Sequence, residues 1–169
     1  MSVLLALLFS LPFQTAASVP GLPELRQWFV QAANSAAYCR KLSNLSGEEL
    51  TRMPVVKGYK AVGTMMMANH VMNPVSKLSY FRKGRNMLQE AIAADKDNIE
   101  LTFLRFTIQT NIPSFLGYND HISADKAMLL NKLNQVKEHS LQTLIGNYLV
   151  ASKTLTVAER RLLTGFPKN

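Results

Sequence analysis

The amino-acid sequence predicts an all-α fold of antiparallel helical hairpins with about six to seven helices. Apolar side chains recur three or four positions apart through most of the chain, which is the period of an amphipathic helix. Residues that start or end helices, chiefly asparagine, threonine, glycine and proline, separate these stretches. The alternation of apolar and polar side chains that marks a strand never persists past a few residues.

The first long helix is expected over residues 23–42. Apolar positions follow the helical period there, and Pro23 suits the first turn of a helix. Ser46 and Glu49 then have the spacing of a capping box, in which each side chain bonds the other residue's backbone N–H. This pair predicts a short helix before Pro54.

Two longer helices are predicted next, over residues 54–72 and about 77–94. The earlier one, loosened by its two glycines, has to end at Asn73-Pro74, because the residue before a proline is pushed out of helical geometry. A tight polar turn follows the later one. Asn98 can then cap the next helix, which runs to about Thr110.

The last third of the chain is predicted to hold two more full helices and a short terminal one. The full helices cover residues 123–136 and 140–153. Thr156 and Glu159 have the spacing of a second capping box, which opens the short helix that Gly165 stops. Antiparallel neighbours joined by short turns are the packing that such a series favours.

The beginning of the chain has the order of a secretory signal peptide, an apolar run at positions 3–13 followed by small residues. We expect residues 1–17 to be removed and residues 18–169 to form a single helical domain, exported to the periplasm or secreted. An uncleaved membrane anchor is the alternative, although the run has about half of the ~20 residues that a spanning helix needs. The remaining chain would keep the net charge of +8, which attracts acidic partners.

Gly84, Leu88 and Ala91 form a small–large–small series, and a tight turn follows at residues 95–98. Residues 58–98 thereby resemble a tetratricopeptide-type helical hairpin, whose second helix has that spacing. The resemblance implies a scaffold of helical hairpins, an architecture that binds other proteins.

Two stretches, residues 58–84 and 91–118, carry a broader resemblance that extends over nearly the whole chain after the leader. They resemble a family of uncharacterised exported helical proteins of Gram-negative bacteria. That resemblance implies a helical fold and an exported protein, and it implies no particular activity.

Arg105 lies inside an otherwise apolar helix, where a charge needs a specific partner. It shares a narrow polar strip with Gln109, and a helix that is apolar on both sides of such a strip packs between neighbours. We expect Arg105 to bond a carboxylate, that of Glu90 or Asp125, or carbonyl groups of the following loop. The alternative is an anion or peptide-carboxylate pocket that residues 111–118 wall.

The loop over residues 111–118 is itself apolar and contains Phe115 and Tyr118, so it is predicted to fold back on the helices. Its backbone groups would then need hydrogen-bond partners. Arg105 and Gln109 on the adjacent helix can supply donors, and we expect them to hold the loop in place.

A strongly basic span lies between Glu49 and Glu90, with seven cations and no acid. Four of these cations fall within residues 77–85, beside Tyr80 and Phe81. A solvated helix face is one interpretation, and a docking patch for an acidic protein, peptide or anionic membrane is the other. Nucleic acid is not expected, because Phe81 lies on the apolar stripe and because we expect the chain to be exported. The candidate binding residues are Lys77, Tyr80, Arg82, Lys83, Arg85, Arg105, Gln109, Phe115 and Tyr118.

Local patterns of catalysis are not found in the sequence. No two histidines stand four apart, no Gly-x-Ser-x-Gly elbow occurs and no glycine-rich phosphate loop is present, so we expect no metal and no cofactor. The single cysteine, Cys39, is predicted to be a small core residue. An enzyme would need a site assembled from distant residues, with His70, Lys77, Tyr80, Arg105 and Tyr118 as the pool.

The sequence therefore favours an exported helical scaffold or adaptor that binds a protein or peptide partner. The alternatives are an enzyme with a dispersed site and a peripheral binder of an anionic membrane surface.

Overall fold

The computed structural model describes residues 19–166, and every regular element in this range is a helix. The all-α prediction is confirmed, with no strand among the residues described. The predicted leader, residues 1–17, lies outside this range. The α-helices are α1 (Leu22–Ala32), α2 (Ala36–Ser43), α3 (Glu49–Arg52), α4 (Pro54–Met66), α5 (Pro74–Ala94), α6 (Ile99–Asn111), α7 (Ile122–Lys132), α8 (His139–Ala151) and α9 (Val157–Arg161). Short 3-10 helices follow α4, α6 and α7 at Met67–His70, Ser114–Leu116 and Leu133–Gln135.

The described range holds nine α-helices, more than the six to seven predicted, partly because the single helix expected over residues 23–42 is two. Residues 33–35 separate α1 from α2, and Ser35 is extended, with φ −141°. Asparagine and serine favour such helix boundaries over helix interiors, because their side chains compete for backbone groups. The break lets α2 turn and pack against α4.

Two of the three predicted helix caps are present. Asn98 accepts hydrogen bonds from the backbone N–H groups of Glu100 and Leu101, both at 3.0 Å. The capping box of Thr156 and Glu159 has both of its bonds, at 3.2 and 2.7 Å. The box predicted at Ser46 is wrong, since α3 begins after Glu48 without a side-chain cap.

The most extensive helix–helix contact in the described range is within the hairpin of α4 and α5. A methyl group placed on Gly84 of α5 would lie 2.5 Å from the carbonyl oxygen of Ala61 and 2.9 Å from the backbone nitrogen of Met65. A methyl group placed on Gly63 of α4 would likewise clash with Leu42 of α2. The glycines of α4 therefore permit close packing rather than loosening the helix, and the small residue at position 84 sets the hairpin spacing.

Helix α6 lies at the centre of one continuous core, with most of its side chains buried. Phe103 packs edge-on against Phe29 of α1 and Tyr148 of α8, with ring centroids 6.1 and 5.5 Å apart. Cys39 is buried, as predicted, and its thiol donates to the carbonyl of Ala32 at 3.2 Å. Within residues 19–166 no helix combines the length and apolarity needed to cross a bilayer.

Candidate binding surface

Arg105 of α6 pairs with Asp125 of α7, one of the two carboxylates predicted for it. Its Nε and Nη2 atoms donate to the two carboxylate oxygens at 2.8 and 2.5 Å, a bidentate arrangement. These hydrogen bonds raise the pKa of Arg105 and outweigh the opposing effect of burial. Glu90, the other predicted partner, instead bonds Lys57 at 2.5 Å.

The predicted hydrogen bonds from Arg105 and Gln109 to the loop at residues 111–118 are wrong. Neither side chain bonds that loop in the described structure, and the buried amide of Gln109 has no protein partner at either atom. Packing holds the loop instead. Tyr118 stands edge-on to Phe81 at 6.0 Å, and the Arg85 guanidinium lies 5.9 Å from the centroid of the Tyr118 ring.

These two contacts show which flank of α5 lies beside the loop. Successive helical residues are rotated by about 100°, so residues spaced by three, four and three share a flank. Because the Arg85 guanidinium lies over the Tyr118 ring, this flank of α5 is the one beside the loop. It carries Arg85 and the residues three, seven and ten positions before it. We use the name loop face for the side chains on this flank of α5, Val75, Leu78, Arg82 and Arg85, together with Phe115 and Tyr118 of the loop; the contact of Arg85 with Tyr118 joins the two parts.

The basic segment 77–85 does not form one patch. Lys83 lies about 160° around the helix from Arg85, on the flank toward α4. There its charge, after the larger effect of burial, lowers the pKa of Lys60. Tyr80 also lies away from the loop and is partly buried against the core. Lys77 is exposed in the first turns of α5.

The loop face combines exposed apolar side chains with cations. Phe115 is 84% exposed, Val75 76% and Leu78 37%, although each is large and apolar. Arg82 shares the α5 flank of Val75 and Leu78 and is exposed, and neither it nor Arg85 forms an ion pair among residues 19–166. Large apolar side chains left in solvent are typical of interaction sites where they form a patch.

Arg85 and Tyr118 of the loop face also belong to a group of polar side chains that we call the open cluster. Its other members are Arg105, Asp125 and Gln109, which stands one helical turn after Arg105 on α6. The hydroxyl of Tyr118, the Nε atom of Arg85 and both amide atoms of Gln109 are buried without a protein partner. Burial raises the pKa of Tyr118 to about 12, with Arg105 and Arg85 opposing and Asp125 reinforcing the shift. Buried polar groups are nearly always hydrogen-bonded, so several unpartnered ones in one place are unusual.

A second polar group, which the sequence did not single out, is fully paired, and we call it the closed network. Arg26 of α1 donates to both carboxylate oxygens of Glu100 at 2.8 Å, with only 5% and 6% of the two side chains exposed. The hydroxyl of Tyr59 donates to the same carboxylate at 2.5 Å. Arg26 also bonds Glu138 and Ser140 at the start of α8.

One feature of the sequence indicates the closed network. Arg26 stands four residues after Leu22 and three before Phe29, inside the apolar stripe of its helix. A charge in that position indicates a buried partner. Its partner Glu100 is 74 residues away, and nothing local identifies it.

The residues named for a dispersed enzyme site are not gathered together. Arg105 and Tyr118 lie close together, since the charge of Arg105 opposes the rise in the pKa of Tyr118 that burial causes. Tyr80 lies on another flank of α5, and His70 is exposed at the end of a 3-10 helix. Among the described residues no three histidine, cysteine or acidic side chains are placed to hold a metal ion.

Comparisons with known proteins add no relative. No protein-family model matches the chain, and searches of curated proteins and of solved structures find no similar protein.

Proposed function

We propose that this protein is an exported helical scaffold that binds an acidic protein or peptide through the loop face. The observation that carries the proposal is the exposure of Val75 and Leu78 on one flank of α5, where Arg82 and Arg85 form no ion pair among the described residues. The exposed Phe115 lies on the loop that Arg85 contacts through Tyr118. An apolar anchor with a charged rim is the usual composition of a protein interface.

Arg85 is the anchor for the partner's carboxylate. Its guanidinium is oriented by the Tyr118 ring, which reduces the side-chain entropy lost on binding. The neighbouring Arg105 already has a carboxylate, Asp125, so the open cluster keeps a net positive charge. A carboxylate with an apolar neighbour in the partner complements Arg85 and the exposed Phe115 together.

The experiment is crosslinking capture from intact cells with three forms of the protein. The wild type is compared with Arg85→Gln/Phe115→Ser and with a matched control, Lys83→Gln/Tyr80→Ser, which changes the other flank of α5. We expect a defined acidic protein to be captured by the wild type and the control and lost with the loop-face variant. Equal capture by all three forms, or loss only in the control, would refute the loop face as the binding surface.

An anionic membrane is the competing partner, because Phe115 and Arg82 could also meet a lipid surface. Flotation with vesicles of neutral and anionic lipid separates the two possibilities. Salt-sensitive flotation with anionic vesicles, together with no protein captured, would replace the protein partner by a membrane.

Export is tested separately by the mass of the protein recovered from the cell envelope or the medium. We expect the mass of a chain that begins near residue 18. A full-length mass from the cytoplasm would contradict the exported part of the proposal and leave the binding surface untouched.

A further inference from the structure

A shallow depression of about 270 Å³ lies where the first described residues meet the end of α2, far along the chain from the loop face. Apolar atoms of Val19, Pro20, Leu45 and the Trp28 indole line most of it. The volume is about twice the ~150 Å³ cavity that holds a benzene molecule. A small ring with a short side chain is therefore the size of ligand that fits.

One cation stands at the rim of this depression. The ammonium nitrogen of Lys41 lies 4.9 Å from the ring centroids of both Trp28 and Tyr38. It forms no ion pair with any of the described residues 19–166. Two aromatic faces thus hold the amine in one place while its charge stays available to an anion.

The remaining polar groups at the rim are side chains that can donate hydrogen bonds. Asn44 and Ser46 line the depression, and neither side chain bonds another described residue. No aspartate or glutamate is among the described residues that line the depression. An apolar floor with one cation and two neutral donors at the edge suits a ligand with an apolar body and one negative end.

We propose that this depression binds a small organic carboxylate, with its apolar body against Trp28 and Leu45 and its carboxylate on Lys41. The carboxylate accepts from the Lys41 ammonium, and Asn44 or Ser46 supplies a second donor. The site is independent of the proposed function, because it uses no residue of the loop face.

The chain offers a direct reporter, because Trp28 is its only tryptophan. The experiment titrates the exported protein, expected to begin near residue 18, with 3-phenylpropionate. It follows the indole fluorescence and the single indole N–H signal in proton–nitrogen NMR spectra. 3-Phenylpropionamide, which has the same shape without the charge, and phenyltrimethylammonium, a cation, are titrated in parallel. The variants are Lys41→Met and, as a matched control on the same helix, Arg40→Met, where the arginine is exposed.

We expect saturable binding of the carboxylate to the wild type and to Arg40→Met. Binding should weaken at least about tenfold for Lys41→Met and for the amide, because both lose a charge-assisted hydrogen bond. Far-ultraviolet circular dichroism checks that each variant keeps its helices. Equal binding of acid and amide, full binding to Lys41→Met, preferential binding of the cation, or no saturation in the millimolar range would each overturn the proposal.

Discussion

Two arginine–carboxylate pairs meet on helix α6, and their surroundings differ. Glu100 in its first turn pairs with Arg26, and every strong donor and acceptor around that pair has a protein partner. Arg105, little more than one turn further on, pairs with Asp125, and the polar atoms beside it are buried without protein partners. The two ion pairs are therefore chemically alike but differ in their surroundings. The closed network joins helices, and the open cluster leaves polar capacity beside an exposed apolar loop.

The closed network ties four parts of the chain. Arg26 lies on α1, Tyr59 on α4 and Glu100 on α6, and Glu138 precedes α8. Burial opposes the charge of Arg26, but its hydrogen bonds to Glu100 and Glu138 outweigh that effect and raise its pKa. A pair this enclosed costs much to break, because removal of one member leaves a buried charge.

The largest expected effect is therefore that of Glu100→Gln, which keeps the shape and removes the charge. We expect the free energy of unfolding to fall by about 3–5 kcal/mol in a denaturant titration. Glu24→Gln, an exposed acid on α1, is the control and should stay within about 0.5 kcal/mol of the wild type. A loss of under about 1 kcal/mol for Glu100→Gln would show that the network is not closed.

The next effect is that of Arg105→Met, which leaves Asp125 buried without its cation. Because 18% of the Arg105 side chain is exposed, water can reach part of the site. We expect a loss of about 1.5–3 kcal/mol, the range for hydrogen bonds to charged groups, by the same titration. A loss larger than that of Glu100→Gln would reverse the comparison between the two pairs, and Arg40→Met serves as the exposed control.

Gln109→Leu distinguishes the open cluster from the closed network by the sign of its effect. The amide is 3% exposed and has no protein partner, so an apolar replacement of similar size removes a desolvation cost. We expect the free energy of unfolding to rise by about 1 kcal/mol. A fall would mean that the amide is hydrogen-bonded and that the cluster is closed.

The smallest effect comes from a third pair, Lys126 and Glu159, which lies near the surface and loses its contribution in acid. The backbone N–H of Thr156 and then Lys126 lower the pKa of Glu159 from 4.5 to about 2. Between these values the unfolded chain binds the proton more readily, so the contribution of Glu159 is complete above pH 4.5 and is lost as the pH falls toward 2. The difference in melting temperature between the wild type and Glu159→Gln should shrink over that interval. A difference that stays constant would contradict the lowered pKa.

Much of the helical framework followed from local patterns. Asn98 and Thr156 were identified as caps because their side chains suit helix starts, and both form the expected bonds. Phe81 was assigned to the core from its stripe, and it is 5% exposed. The Asp125 partner of Arg105 was named among two carboxylates because a buried charge requires one.

The sequence does not show which residues far apart along the chain come into contact. The Arg26–Glu100 pair depends on how α1 packs on α6, and the break at residues 33–35 depends on α2 finding α4. Helical spacing alone separates Lys83 from Arg85 on α5, but only the fold shows that Arg85 faces the loop. Tertiary contacts are therefore needed to show which cations of residues 77–85 lie beside the loop.

The two buried tyrosines give the most direct test. Tyr59 donates its hydroxyl to Glu100, and the hydroxyl of Tyr118 has no protein partner, although both side chains are at most 5% exposed. The measurement is a denaturant titration of Tyr59→Phe and Tyr118→Phe side by side. We expect Tyr59→Phe to lower the free energy of unfolding by about 1.5–3 kcal/mol and Tyr118→Phe to leave it unchanged or raised. Equal losses for both would show that the cluster at Arg105 is as closed as the network at Arg26, which would contradict the contrast between the two.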